Sequence, residues 1–548
     1  MYKKEVIILF FKKNWPILLI VLLAFVLRIW GSWYGLPGLF VGDEKSLVGG
    51  ALKMIYQQNI FPVLEDSHVF RLLYYPTLIP WIYLILFAPY TIFVYLMGNF
   101  ASIAELRDFF IMDPSPFFLI ARIINTFFAT ATVWLIYLIT KKIFNYRTGI
   151  IAALLYAVSF LSIHQGHFSK HWNIAMFFAL LSIYFAFSVL ENNNKRNYVL
   201  AGLYAGLACF SNYLSVFYGI ILVIVHFLFN PSSWREKFFD KKLWFFVIVV
   251  LLIFGFSVLV NPYDFTRIVF GEDSTATSNK SLASFLKVSF EVLKSLYYLA
   301  TFIFILSILG FLILFFQDKK KFLVFIFIPF SSVFLYYFLY HFEPRYVLFF
   351  LPILAIVAGF GLDQLIKFLK IRSNLLIGLI IFAIIFIPLK NAIVFDKILA
   401  QDDTRNLAKD WVENNIPIGS KIITNSWEFS LIRSQECINQ QQQTNNMSLR
   451  SRDYVMMNHA FPDGYCVWPL DLIKVLPENV SEFEYYLIDS FTGKRSAYLG
   501  KELIERGELI KEFKGSLFDP SGQNINMFVH QRLKDRALGP DVNIYQLK

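Results

Sequence analysis

From Trp15 to about residue 395 the chain is a succession of apolar runs, each long enough to cross a bilayer and separated by short polar loops. Hydrocarbon offers no partner to a backbone N–H or C=O, so runs of this length have to be helices that satisfy their own hydrogen bonds. Only 16% of the residues are charged and 57% are hydrophobic, whereas soluble domains run at about 25% charged. Soluble, disordered, collagen-like and coiled-coil readings are therefore excluded. The formal charge of +11 would suggest nucleic acid in a soluble protein. Here residues 396–548 hold 18 Lys/Arg against 21 Asp/Glu, leaving 32 against 18 for the rest. The surplus belongs to the membrane loops, and no nucleic-acid partner is expected.

Those loops carry a direction. Basic residues gather at Lys141, Lys142 and Arg147, at Lys195 and Arg196, at Arg235, Lys237, Lys241 and Lys242, at Lys319 to Lys321, and at Lys367, Lys370 and Arg372. That is every second loop from residue 118 onward, and short basic loops stay in the cytoplasm. The N-terminus, with Lys3, Lys4, Lys12 and Lys13, is expected on the same side, as an uncleaved first helix because no small-residue cleavage site follows. This helix ends outside near Trp33, and the helix from about residue 118 also starts outside. The apolar stretch from about Tyr75 to Leu96 then cannot be a single crossing. It contains Pro76, Pro80 and Pro89, and the stretch after it (Glu105, Arg107, Asp108, Asp113) lacks basic character. A helix lying in the outer interface, or dipping into it, is expected. The count becomes about eleven spanning helices, with the tail outside.

The expected fold is an all-α polytopic membrane domain over residues 1–395 and a small extracytoplasmic α/β domain over 396–548, in a multi-pass protein of the plasma (inner) membrane. In the tail, a helix is predicted near Asn406 to Asn414, strands at Lys421 to Asn425, Tyr485 to Ile488 and Ile525 to His530, and a helix at Lys501 to Phe513. Cys437 and Cys466 both fall there and can form one bridge outside the cytoplasm, while Cys209 lies in an apolar run. No solenoid repeat, Walker loop, GxGxxG, zinc spacing or GxSxG element is present in the sequence.

The informative charges are those expected at the outer face. Asp43 and Glu44, in Phe40-Val-Gly-Asp-Glu-Lys, follow the first helix, where a carboxylate near hydrocarbon is costly. A general base against an external hydroxyl needs such a carboxylate beside a cationic anion site. Cations for that site come from His167, Lys170 and His171, from Arg122 at the outer end of its helix, and from Arg345 with Tyr346 beside it. Their convergence is what a lipid-linked phosphate requires, since the leaving group must be charge-stabilised while its tail stays in the bilayer. Singly, each has a plainer reading: loop acids are solvated, and interfacial cations anchor lipid head groups. Tyr74-Tyr75-Pro76 fits an aromatic belt, and Asn261-Pro262-Tyr263 fits a helix stop. Glu44, Glu65, Asp66 and His68 share the first outer loop and would ligate a cation if they converged. A monophosphate faced by Arg122, Lys170 and Arg345 does not need one, so no metal and no cofactor are expected.

With these residues the chain resembles the polyprenyl-phosphate-dependent GT-C glycosyltransferases, in the group of the protein O-mannosyltransferases and the lipid A aminoarabinose transferases. Gly42-Asp43-Glu44 followed by Gly49-Gly-Ala-Leu-Lys-Met is similar to the family's first-loop acidic signature and the amphipathic helix after it. Tyr75-Pro76-Thr-Leu resembles the proline element opening the second juxtamembrane helix, Arg122-Ile-Ile-Asn the arginine opening the next span, and Arg345-Tyr-Val-Leu-Phe-Phe-Leu-Pro the late arginine–tyrosine element. The resemblance implies Asp43 as catalytic base with Glu44 assisting, and Arg122, Lys170 and Arg345 near the donor phosphate. It implies transfer of a sugar from a polyprenyl-phosphate donor to a hydroxyl of a protein, lipid or glycan acceptor, among membrane lipids. Two departures stand out: an aspartate of the family pattern is absent where this chain has His167-Phe-Ser-Lys-His-Trp172, and Asn212-Tyr213 replaces a lysine–tyrosine pair.

Two other classes compete. A lipid-linked saccharide flippase would place charges at mid-membrane on broken helices and show repeated halves, unlike this one-sided arrangement. A catalytically degenerate GT-C scaffold is supported by the two departures.

Overall fold

The computed structural model describes residues 2–61, 76–262, 281–339, 342–445, 455–456, 464–491, 498, 500–516 and 537–548. The chain divides into two units. The first comprises Met1–Ser32, Asp43–Leu86 and Ile120–Asp396, and the second comprises Trp33–Gly42, Phe87–Leu119 and Lys397–Lys548. The last cut falls after Asp396, and the second unit also takes in two segments that the sequence grouped with the membrane portion.

Along the chain run α1 (Tyr2–Ile29), α2 (Gly42–Gln57), α3 (Leu78–Met97), α4 (Ile103–Met112), α5 (Ser115–Ile143), α6 (Tyr146–Ala157), α7 (Phe160–Gly166) and α8 (His171–Glu191). They are followed by α9 (Lys195–Ser211), α10 (Val216–Phe229), α11 (Trp234–Phe238), α12 (Lys241–Val260), α13 (Leu282–Gln317), α14 (Lys319–Leu339), α15 (Leu351–Phe368) and α16 (Asn374–Leu399). Among the described residues eight helices are long and apolar enough to cross a membrane, or nine if α6 and α7, bent by 61°, make one span. Two shorter apolar helices cover Asn14–Ile29 and Tyr213–Phe229. This is a multi-pass membrane protein. The segment expected to lie along the interface forms α3, which is itself long and apolar enough to cross.

The helix ends follow from local chemistry. Asn145, Asn194 and Asp240 accept a backbone N–H of the first turn of α6, α9 and α12. Asn261 ends α12, its N–H donating to Ser257 O. Where α13 meets α15 the backbones touch: a Cβ on Gly310 would lie 2.2 Å from Val357 O, and one on Gly361 would lie 2.5 Å from Leu306 O. Small residues allow this approach in a membrane, where helices gain little from apolar burial against one another. At another helix end Arg147 Nε and Lys367 Nζ converge on the buried Asp363 at 2.7 and 2.6 Å, so part of the basic loop charge is spent within the fold.

The second unit contains a five-stranded sheet of order β2-β1-β3-β5-β4, from β1 (Lys421–Thr424), β2 (Cys466–Pro469), β3 (Tyr485–Asp489), β4 (Gly507–Phe513) and β5 (Val542–Leu547). β1 pairs in parallel with β2 and β3, and β5 runs antiparallel to β3 and β4. Alternation along the strands gives the sheet two apolar faces. Ile422, Val467, Leu487 and Ile544 pack with Ala408 and Val412 of α17 (Thr404–Asn415) on one side. Ile423, Trp468, Tyr486 and Leu503 cluster on the other. Cys437, in α18 (Gln435–Asn445), is bonded to Cys466 of β2, and Cys209 is a buried thiol. The predicted helix over 501–513 is corrected: it stops at Arg506, and Gly507 opens β4, whose Leu509, Lys511 and Phe513 pair with β5. The predicted strand at Ile525 to His530 lies outside the described residues, as do Glu65, Asp66, His68, Tyr74, Tyr75 and Tyr263.

Candidate active site

The site is built in the first unit. Asp43 and Glu44 occupy the first turn of α2, where the helix dipole favours a carboxylate. Successive helical residues point about 100° apart, and the two acids meet different surroundings. Glu44 is fully buried. Its oxygens take Arg122 Nε at 3.0 Å and Arg122 Nη2 at 2.7 Å, and Ser169 N–H donates to it at 2.6 Å. Arg122 also donates from Nη1 to Ser32 O at 2.7 Å. Three and four residues further along the same face of α5, Asn125 Nδ2 donates to Gln165 O and Phe168 O, and Thr126 Oγ1 to Gly166 O. The i, i+3, i+4 spacing lets α5 grip the turn that carries Lys170.

Asp43 is partly exposed, and a single oxygen of it gathers two cations. Lys170 Nζ lies 3.3 Å from Oδ2 with its side chain 1% exposed, and Arg345 Nη1 donates to the same Oδ2 at 2.8 Å. Lys170 caps α8, and Arg345 sits in the 3-10 turn Pro344–Phe349. Arg345 Nε is 2.5 Å from Glu343. Burial pushes the Asp43 carboxyl up, but Lys170, Arg345 and His171 together outweigh it and hold the group at about 2.

Aromatic rings wall this cluster. His171 packs on Trp172 with ring centres 4.5 Å apart, Trp172 on Tyr346 at 5.3 Å, and the Arg345 guanidinium lies over Trp172 at 5.9 Å. Of the residues the sequence singled out, Asp43, Lys170, His171 and Arg345 meet here, and Tyr346 backs them. Arg122 and Glu44 form a separate buried pair. His167 turns elsewhere: Nδ1 is 2.8 Å from Ile163 O, and Nε2 is 3.0 Å from Trp30 O and 3.2 Å from Asp396. Trp172, standing where the family pattern has an aspartate, supplies a ring face. Asn212 caps the turn at Tyr213–Ser215. Glu343, Asn125 and Thr126 carry contacts that sequence reasoning missed; the traces were Glu343 lying two residues before Arg345 and Asn125 closing the Arg122-Ile-Ile-Asn element. Among the described residues no group of three or more His, Cys, Asp or Glu is disposed to hold a metal.

Residues 118–260, which include Arg122 and Lys170 but neither Asp43 nor Arg345, match the profile of the family described as dolichyl-phosphate-mannose-protein mannosyltransferase. No curated protein matches significantly. Among solved structures, similar chains include ArnT from Cupriavidus metallidurans bound to undecaprenyl phosphate (TM-score 0.46, 11% identity, covering 97% of this chain and 98% of that one). Another is the archaeal oligosaccharyltransferase AglB from Archaeoglobus fulgidus in complex with an inhibitory peptide and a dolichol-phosphate (TM-score 0.49, 12% identity, covering 87% and 70%). By its short motifs and by the family match over residues 118–260, the chain resembles the GT-C glycosyltransferases of the protein O-mannosyltransferase and aminoarabinose transferase group.

Proposed function

We propose that this protein is an integral membrane glycosyltransferase that moves a sugar from a polyprenyl-phosphate donor to a hydroxyl of a protein, lipid or glycan on the extracytoplasmic face. The observation that carries the reading is one carboxylate oxygen, on Asp43, shared by Lys170 and Arg345. Two cations held in a protein interior have a reason to exist if an anion visits them. Asp43 takes the proton of the acceptor hydroxyl, the acceptor oxygen bonds to the anomeric carbon, and the bond from that carbon to the phosphate oxygen breaks. Lys170 and Arg345 stabilise the departing polyprenyl phosphate. Arg122 and Glu44 act as positioning residues, fixing α2 and the 165–170 turn. The cations on hand neutralise a monophosphate without a divalent ion, so transfer is expected to survive EDTA.

The test is incubation of the purified protein with a panel of polyprenyl-phosphate sugars, scored for transfer or for acceptor-independent hydrolysis, with Asp43→Asn as the inactive control. No turnover on any donor, or full turnover by the control, would count against the reading.

A further inference from the structure

We infer that Asp43 and the donor phosphate compete for the same two cations, so that donor binding itself releases the base. This rests on the assignment of Asp43, Lys170 and Arg345 above. The geometry is the shared oxygen: Lys170 at 3.3 Å and Arg345 at 2.8 Å both point at Asp43 Oδ2. A carboxylate so neutralised is a poor proton acceptor, since two adjacent cations stabilise its charged form and lower its basicity. Lys170 has no ion-pair partner other than Asp43 among the described residues, although an ammonium has three protons to place.

Among the described residues the ion pairs of this cluster balance. Arg345 is held from behind by Glu343, so two carboxylates face two cations. Around Asp43 stand Lys170 and His171 from the start of α8, Arg345 from the 3-10 turn, and Glu44 next in α2, itself neutralised by Arg122. An incoming phosphate therefore meets Lys170 and Arg345 already paired with carboxylates. It has to draw Lys170 and Arg345 away from Asp43.

The reaction's own balance fits this exchange. A donor phosphodiester carries one negative charge, and Asp43 carries another. After transfer Asp43 is protonated and neutral, while the polyprenyl monophosphate has two negative charges. The total is unchanged, and what moves is its location, from carboxylate to phosphate. Two cations placed between them follow the charge without any gain or loss of net neutralisation. Arg345 is suited to this because Glu343 holds its Nε while Nη1 is the atom that serves Asp43.

The experiment measures binding rather than turnover. Undecaprenyl monophosphate is titrated into wild-type protein, Asp43→Asn, Asp43→Ala and Asp43→Glu in neutral lipid nanodiscs, with thermal unfolding verifying that each variant is folded. Removing the competing charge is expected to tighten binding roughly tenfold in the Asn and Ala variants, and Asp43→Glu is expected to bind like wild type. Equal or weaker binding by Asp43→Asn, with wild type still binding, overturns the competition and leaves the donor assignment standing. Absence of binding by every form overturns the donor assignment, and this inference with it.

Discussion

Asp43 and Glu44 are adjacent acids whose surroundings divide their work. Glu44 is sealed against Arg122, and removing one partner of such a buried pair leaves an uncompensated charge. Arg122→Met is expected to cost about 3–5 kcal/mol of stability, and pairing it with Glu44→Gln to recover part of the loss. Thermal unfolding in detergent decides this: equal losses in the single and double variants would mean that the two side chains are not coupled. Asp43 sets a pH dependence instead. Its folded value of about 2 lies below the ordinary one, near 4. Its contribution to stability is therefore complete above the ordinary value and is lost as the pH falls toward the folded one. For activity, kcat/KM for the donor reports the resting protein and is expected to show no acid limb from Asp43 above about pH 4. The kcat profile reports the donor complex, where the cations have turned to phosphate, and its acid limb is expected at higher pH. Coincident limbs would argue against the exchange of cations. Asp43 was legible because an acid just past an apolar run needs a reason. Its partner Arg345 is 302 residues away, and no local pattern says which of several outer cations converge on it.

At the level of elements, length and apolar character located the long helices, eight or nine among the described residues against about eleven expected, since in a bilayer a long apolar run has no alternative to a helix. Contacts between spans were not legible, because a glycine at a helix crossing looks like any other glycine. Gly310 is such a position, with Val357 O in the path of any Cβ, whereas nothing lies within 4 Å of a Cβ on Gly255. Gly310→Val is expected to destabilise the protein by about 1–3 kcal/mol through overpacking, and Gly255→Val to leave the unfolding temperature close to wild type. Matching losses would attribute the effect to the helix rather than to the crossing. The soluble-type elements were read less well. Lys501 to Phe513 carries helix-forming residues on both sides of Gly507, and pairing with the C-terminal strand turns the part from Gly507 onward into β4. That tertiary preference overrides local propensity.

For the whole molecule, the sidedness of the site decides whether the chemistry faces the outside, and one contact bears on the path of the chain. Arg122, near the start of α5, donates to Ser32 O just past the end of α1 and pairs with Glu44 at the start of α2. The end of α1 and the start of α5 therefore lie at the same membrane face. The chain between them then crosses an even number of times or not at all, so α3, long and apolar enough to cross, is not the lone crossing between these two points. Counting α6 with α7 as one span, and adding the shorter apolar helices and α9, the crossings are then odd in number. Basic clusters recur in alternate loops from Lys141 to Arg372, which favours those loops inside, and the Cys437–Cys466 bond suits an oxidising compartment for the tail. We therefore expect a cysteine introduced at Glu478, on the tail's surface, to react with a membrane-impermeant maleimide in intact cells. One at Asn193, in the exposed loop between α8 and α9, is expected to react only after the membrane is opened. The native cysteines do not interfere, since two are bonded and Cys209 is buried. Labelling at Asn193 and protection at Glu478 would invert the protein and put Asp43, Lys170 and Arg345 at the cytoplasmic face. Labelling at both positions, or at neither, would make the crossings between them even in number and return α9 or the short helix over Tyr213–Phe229 to a role within a single leaflet.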